Sequence, residues 1–364
     1  MKKMQKLSDL GQAVWFDNIN RSFIANGELK SLIDEGLRGV TSNPTIFEKS
    51  ITGSTDYDRD LIKLVREGKS AVEIYETLVL EDISSAADIL LPVYEETGGL
   101  DGYVSVEVNP ELAGDTEGTI AEADRLFKKL GRPNVMIKVP ATEAGIPAIR
   151  TLVGRGININ VTLIFSLGHY NAVAEAYISG LDDLESSGGN VSKTASVASF
   201  FISRVDTAVD RALEGLGEES LMGKIAIANA KAAYARFKDI FSGERWQHLV
   251  ASGARVQRAL WASTGTKNPN YSDTLYVDNL IGADTVNTVP PATLDAFLDH
   301  GTVEQTIDKG AEEARKQLGT LSDLGINLGE VARKLQDDGV DSFAKSFEAL
   351  MESIHEKRER LLGD

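Results

Sequence analysis

Eight short β-rich runs, separated by longer amphipathic stretches, constrain this chain more than any other feature. They fall at residues 13–17, 39–43, 103–108, 135–139, 157–165, 194–201, 255–263 and 285–289. Helical spacing fills several of the gaps, as at 120–130 after Gly118 and Thr119, and at 221–241, a stretch rich in alanine and lysine. Regular alternation of β and α implies a parallel sheet. Eight units match a closed barrel, and no Gly-x-Gly-x-x-Gly follows the first run as a doubly wound dinucleotide fold would ask. The expected fold is α/β, a (β/α)8 TIM barrel with extra helices, with an open doubly wound sheet as the alternative.

The extra helices follow from length. A minimal barrel needs about 250 residues, whereas this chain has 364. Two regions hold the surplus. One is a helical insertion at about 49–91 that includes an amphipathic segment at 71–91; the other is everything after about 291. The last helix sets Phe343, Phe347, Leu350, Met351 and Ile354 on one stripe, at i, i+4, i+7, i+8 and i+11, suited to docking onto the barrel. No linker, repeat or low-complexity tract divides the chain, so 1–364 is expected to form one domain.

Composition narrows the function. A net charge of −17 disfavours general affinity for nucleic acid, whose phosphates demand a basic surface, and no Lys/Arg-rich run compensates. The chain has no cysteine, which excludes disulfides and thiolate metal sites. No apolar run approaches the ~18 residues of a membrane span, and the first nine residues lack the apolar core of a secretory signal. A soluble, cytoplasmic protein with no membrane partner is expected. Oligomeric state is left open by the sequence.

Lys138 sits inside the apolar run Val135-Met136-Ile137-Lys138-Val139-Pro140. A lysine among apolar side chains can give up its proton and attack a carbonyl, forming a Schiff base. Alternatively, Lys138 ends an edge strand and snorkels its amine into solvent. The other polar residues at strand ends bear on the choice, because barrels of this type carry their chemistry there. They are Asp17, the Thr41-Ser42-Asn43 segment, Glu107 and Asn109, Asn160 and Thr162, Ser199 with Arg204 just beyond, and Ser263 followed by Lys267. One amine, two carboxylates, several hydroxyls and two cations form the inventory of a Schiff-base enzyme acting on a phosphorylated carbonyl compound. Each has a plainer reading: Asp17 as a turn cap, Asn43 as a loop anchor before Pro44, Glu107 as a structural ion pair with Lys138.

The segments Trp15-Phe16-Asp17-Asn18, Gly39-Val40-Thr41-Ser42-Asn43-Pro44-Thr45-Ile46-Phe47, Ser105-Val106-Glu107-Val108 and Asn134-Val135-Met136-Ile137-Lys138-Val139-Pro140-Ala141-Thr142 resemble transaldolase nearly end to end, in the bacterial branch often grouped as type 2. The resemblance implies a pentose phosphate pathway transferase that moves a dihydroxyacetone unit from sedoheptulose 7-phosphate or fructose 6-phosphate to an aldose phosphate. It implies Lys138 as the Schiff-base lysine, Glu107 as proton shuttle through a water held by Thr162, and Asp17 as base for the C4 hydroxyl. Asn43 and Asn160 would donate to substrate hydroxyls, with Ser199 and Ser263 nearby and Phe201 as a wall. Arg204 falls where the family places a phosphate-binding arginine. The family's second arginine is not evident after the seventh run, where Ser263-Thr264-Gly265-Thr266-Lys267 offers Lys267 instead.

The four histidines, His169, His248, His300 and His355, show no metal-ligand spacing, so neither a metal nor an organic cofactor is expected. Two other functions stay open: an aldolase that releases the three-carbon unit to water, and a sugar-phosphate-binding regulator without turnover.

Overall fold

The computed structural model describes residues 2–363, with side chains for 2–360. Its centre is a closed barrel of eight parallel strands in sequence order. They are β1 (Gln12–Phe16), β2 (Gly39–Val40), β3 (Tyr103–Glu107), β4 (Val135–Pro140), β5 (Ile159–Ile164), β6 (Ser196–Phe201), β7 (Arg258–Ala262) and β8 (Thr285–Val289). β1 pairs with β8 over five residues, from Gln12 with Thr285 to Phe16 with Val289, and this closure excludes the open doubly wound sheet.

Nearly every strand residue is buried, as expected when helices cover the outside of a parallel sheet and side chains fill its inside. The helices begin and end on local signals. Asp115 caps the helix Thr116–Leu130 by accepting from Gly118 N at 3.0 Å, and Gly131 closes it at φ +58°. Ser70 and Glu73 form a reciprocal capping box at the start of the helix Ala71–Glu96. That helix runs past the expected end at 91, through Pro92, with Leu90 and Val93 buried on either side of the ring.

Between β2 and β3 lie three helices, Pro44–Gly53, Asp58–Arg66 and Ala71–Glu96, where the helical insertion was expected. Three more follow β8: Pro291–His300, Ala311–Asp323 and Leu328–Gly363. The last packs its stripe inward: Phe343, Phe347, Leu350 and Ile354 are buried.

Several strands are shorter than their apolar runs, ending at residues that make one last inter-strand backbone bond while their side chains reach neighbouring elements. The run at 39–43 keeps only Gly39 and Val40, since Thr41, Ser42 and Asn43 turn their side chains onto neighbouring elements. The run at 157–165 pairs only from Ile159 to Ile164. The Asn158 side chain donates to Pro133 O and Val135 O and accepts from Ala195 N. The helix expected at 221–241 starts at Ile225, after a single 3-10 turn and Gly223 at φ +68°.

Near the start of β2, Trp15 of β1 packs against the strand it pairs with. Its indole lies on Gly39, where an added Cβ would come within 2.6 Å of the ring, so only glycine fits. Beside it Arg258 donates to Asp101 at 2.8 Å, a buried ion pair far along the strands from the opposite mouth.

Candidate functional site

Parallel pairing sets the first three residues of the site side by side. Glu107 of β3 is in register with Lys138 of β4, and Lys138 with Asn160 of β5, so all three face the same side of the sheet. That side is the barrel interior. Lys138 is only 5% exposed, which removes the solvent-snorkelling alternative. Its Nζ lies 3.6 Å from Glu107 Oε2 and donates to Ser42 O at 3.2 Å.

The segment after β2 holds much of this geometry. Thr41 Oγ1 donates to Asp17 Oδ1 at 2.7 Å and also meets Thr288 Oγ1 from β8. Ser42 supplies the carbonyl for Lys138 and ties its own hydroxyl to Ser105 O. Asn43 accepts from Ile46 N at 3.0 Å and so starts the helix whose first residue is Pro44. The plainer reading of Asn43 as a loop anchor is therefore correct for its oxygen, while the residue still lines the cavity.

Above Lys138 is a cavity of about 120 Å³ at the end where the strands finish. Its lining includes Asp17, Asn43, Lys138, Thr162, Ser199, Phe201, Arg204, Ser263 and Lys267, nine of the eleven residues singled out from sequence. Glu107 and Asn160 stand outside that lining. The Asn160 amide donates to Ser105 Oγ at 3.0 Å and accepts from Ser199 Oγ at 2.6 Å. Glu107 Oε2 and Thr162 Oγ1 are buried and have no hydrogen-bond partner in the protein.

Burial dominates the electrostatics. It pushes the Glu107 carboxyl up to about 7, against the pull of the Lys138 ammonium, and the nearby Asp17 carboxylate adds to the rise. Asp17 is raised by the same desolvation, opposed by Lys138, by the Thr41 hydroxyl, and by Lys267 and Arg204 through space. Two carboxyls with raised proton affinity therefore flank one amine, with two further cations close enough to Asp17 to be felt. Arg204 stacks its guanidinium 5.4 Å from the Phe201 ring. Lys267 faces the same cavity beside Gly265, and an added Cβ on that glycine would lie 3.9 Å from Lys267 Nζ.

The loop after β7 is shaped by an uncommon backbone. Ser263 adopts φ +56°, and its carbonyl and hydroxyl both meet Ser203, at 3.0 and 2.9 Å. Asn109, grouped with the strand-end polar residues, instead caps the 3-10 turn Pro110–Gly114 by accepting from Glu111 N.

Sequence reasoning missed the roof. Phe343, on the helix Leu328–Gly363, lines the cavity with its ring 5.8 Å from Lys138 Nζ. Thr41 and Thr288, also in the lining, were not singled out as binding residues. The apolar stripe marked Phe343 as buried, but nothing local said what it covers.

Among the described residues, no helix is long and apolar enough to cross a membrane. Comparison with known proteins places this geometry in context. Residues 14–354 match the family model described as transaldolase/fructose-6-phosphate aldolase. A protein named transaldolase from Trichodesmium erythraeum is 48% identical, over 98% of this chain and 97% of its own length. A transaldolase 2 from a Nostoc species is 47% identical over 97% of this chain and 96% of its own. A transaldolase from Thermobifida fusca is 48% identical over 96% and 97%.

Proposed function

Because the chain belongs to the transaldolase/fructose-6-phosphate aldolase family and its relatives of near-equal length are transaldolases, it is a transferase acting on sugar phosphates, and we propose that Lys138 carries the transferred unit as a Schiff base. The observation that carries this reading is the buried Lys138 amine 3.6 Å from Glu107, at the floor of a cavity with Asp17 and two cations on its walls.

Lys138 attacks the C2 carbonyl of a ketose phosphate, and loss of water gives the imine. Glu107, whose proton affinity is near neutrality, gives and takes the protons of that dehydration. Its free Oε2 and the free Thr162 hydroxyl suit a shared water for this relay. Asp17 then takes the proton from the C4 hydroxyl, and burial makes it a stronger base than an exposed aspartate. The bond between C3 and C4 breaks, its electrons moving into the protonated imine. An aldose phosphate leaves and an enamine of dihydroxyacetone stays on Lys138.

Attack of this enamine on an acceptor aldehyde, followed by hydrolysis of the new imine, completes transfer. Asn43 and Ser199 border the three-carbon unit, with Asn160 beneath Ser199. Arg204 and Lys267 hold the phosphate. A planar guanidinium suits two phosphate oxygens, and Lys267 stands where a second cation is needed.

The test is transfer itself. Fructose 6-phosphate and erythrose 4-phosphate should yield sedoheptulose 7-phosphate and glyceraldehyde 3-phosphate with the native enzyme. Lys138→Met should lose the reaction by roughly four orders of magnitude or more. Transfer surviving in Lys138→Met would overturn the assignment.

A further inference from the structure

The helix Leu328–Gly363 does more than pack against the barrel. It is bolted across the mouth above Lys138. Gln336 donates its amide to Ala141 O at 2.9 Å and to Leu163 O at 3.0 Å. Ala141 directly follows the lysine strand, and Leu163, one residue past Thr162, adopts φ +59°. Gly339, one turn on, lets the helix approach closely: an added Cβ would lie 2.8 Å from Leu163 Cδ2 and 3.6 Å from Arg204 Nη1.

Another turn brings Phe343 over Lys138. It is held there from beyond, by Ser346 Oγ against Thr45 Oγ1 at 2.8 Å and by Phe347 packed edge-on to Tyr75, centroids 5.3 Å apart. Positions 336, 339, 343 and 346–347 share one helical face, so a single rigid element spans from the β4 and β5 ends to the β2–β3 insertion.

The amine's polar neighbours in the barrel are Glu107 and the Ser42 carbonyl. The group facing it from the roof is an aromatic ring. Under that ring the cavity is about 120 Å³, well below the ~300 Å³ at the lower end for small-molecule sites. The covered space is of a size for the three-carbon unit that stays on Lys138.

We propose that Phe343 is the shield that keeps water from the dihydroxyacetone enamine, and so sets how often the enzyme transfers the unit rather than releasing it. The inference rests on the Schiff-base reading of Lys138. Release requires that the enamine carbon take a proton, that water add to the resulting imine, and that the carbinolamine break to give dihydroxyacetone and the free amine. The net reaction of release is fructose 6-phosphate to dihydroxyacetone plus glyceraldehyde 3-phosphate, with the water lost in forming the imine regained in its hydrolysis. A ring over the carbon and nitrogen slows the steps that need water or its proton. Phe343 acts by position and takes no proton itself.

The experiment compares two rates in native enzyme, Phe343→Leu and Phe343→Ala. One is release of free dihydroxyacetone from fructose 6-phosphate alone; the other is transfer to erythrose 4-phosphate. The ratio of release to transfer should rise about threefold in Phe343→Leu and roughly tenfold in Phe343→Ala. A purely structural role would lower both rates together and leave the ratio unmoved, which would overturn the proposal. Should Phe343→Ala fail to fold, the ratio in Phe343→Leu decides alone. Borohydride reduction in parallel separates the two readings. If no adduct forms on Lys138 in the native enzyme, the Schiff-base reading fails and this one with it; an adduct with an unchanged ratio sinks only the role of Phe343.

Discussion

Lys138 Nζ lies 3.6 Å from Glu107 Oε2, an ion-pair separation longer than a hydrogen bond, so the amine is positioned by the carboxyl without being locked to it. Glu107 in turn holds its proton up to about pH 7 because burial outweighs the lysine's attraction. Substituting Glu107→Gln should leave a carbonyl of similar shape but no transferable proton. We expect kcat to fall by roughly 10²–10³. The limb of the native pH–rate profile centred near 7 should vanish with it. Initial rates from pH 5 to about 9 on both proteins check this; a limb that persists in the variant would assign it to another group.

The same carboxyl makes stability depend on pH. Its folded value is raised from 4.5 to about 7, so between those values the native chain holds a proton the unfolded chain has lost. Stability therefore falls as pH rises through that window. Urea unfolding should show Glu107→Gln gaining on the native protein from pH 4.5 to 7 and levelling off above. A flat difference would mean that Glu107 is ionised throughout in the folded state.

Arg204, in the first turn of the helix Ser203–Leu216, and Lys267, in the loop after β7, face one cavity. If both bind the substrate's phosphate, Arg204→Met and Lys267→Met should each raise KM for fructose 6-phosphate about tenfold or more. Reaction with unphosphorylated dihydroxyacetone donors should be much less affected. Equal losses for phosphorylated and unphosphorylated donors would place either residue outside the phosphate site.

At the opposite end of the barrel, Arg258 and Asp101 form a buried pair outside the lining of the cavity. Asp101→Ala strands the guanidinium and should cost about 3 kcal/mol or more of stability. The folded variant's KM should match that of the native enzyme. Thermal unfolding and steady-state kinetics on one preparation check both halves.

Much of this was legible because it is local. Eight β-rich runs in alternation with helices are enough to name the barrel, and the rule that such barrels work at their strand ends gathers Asp17, Lys138, Thr162 and Arg204 without coordinates. Strand ends were overestimated where the backbone makes only a last inter-strand bond, as Asn158 does to Ile137 N before β5 while its side chain donates to Pro133 O and Val135 O, because an extended backbone reads alike at either side of that end. Asn109 carries the same polar signal as Glu107 two residues earlier, yet it caps a turn. The roof was not legible. Gln336 reaches Ala141 across 195 residues, and a helical stripe tells which face is buried but not what lies under it.

The most direct test of the account is to incubate the protein with fructose 6-phosphate, reduce with borohydride, and map the modified peptide by mass, with Lys138→Ala as control. The account predicts a single reduced three-carbon adduct on Lys138 and none in the variant. No adduct, or modification spread evenly over other lysines, would contradict it.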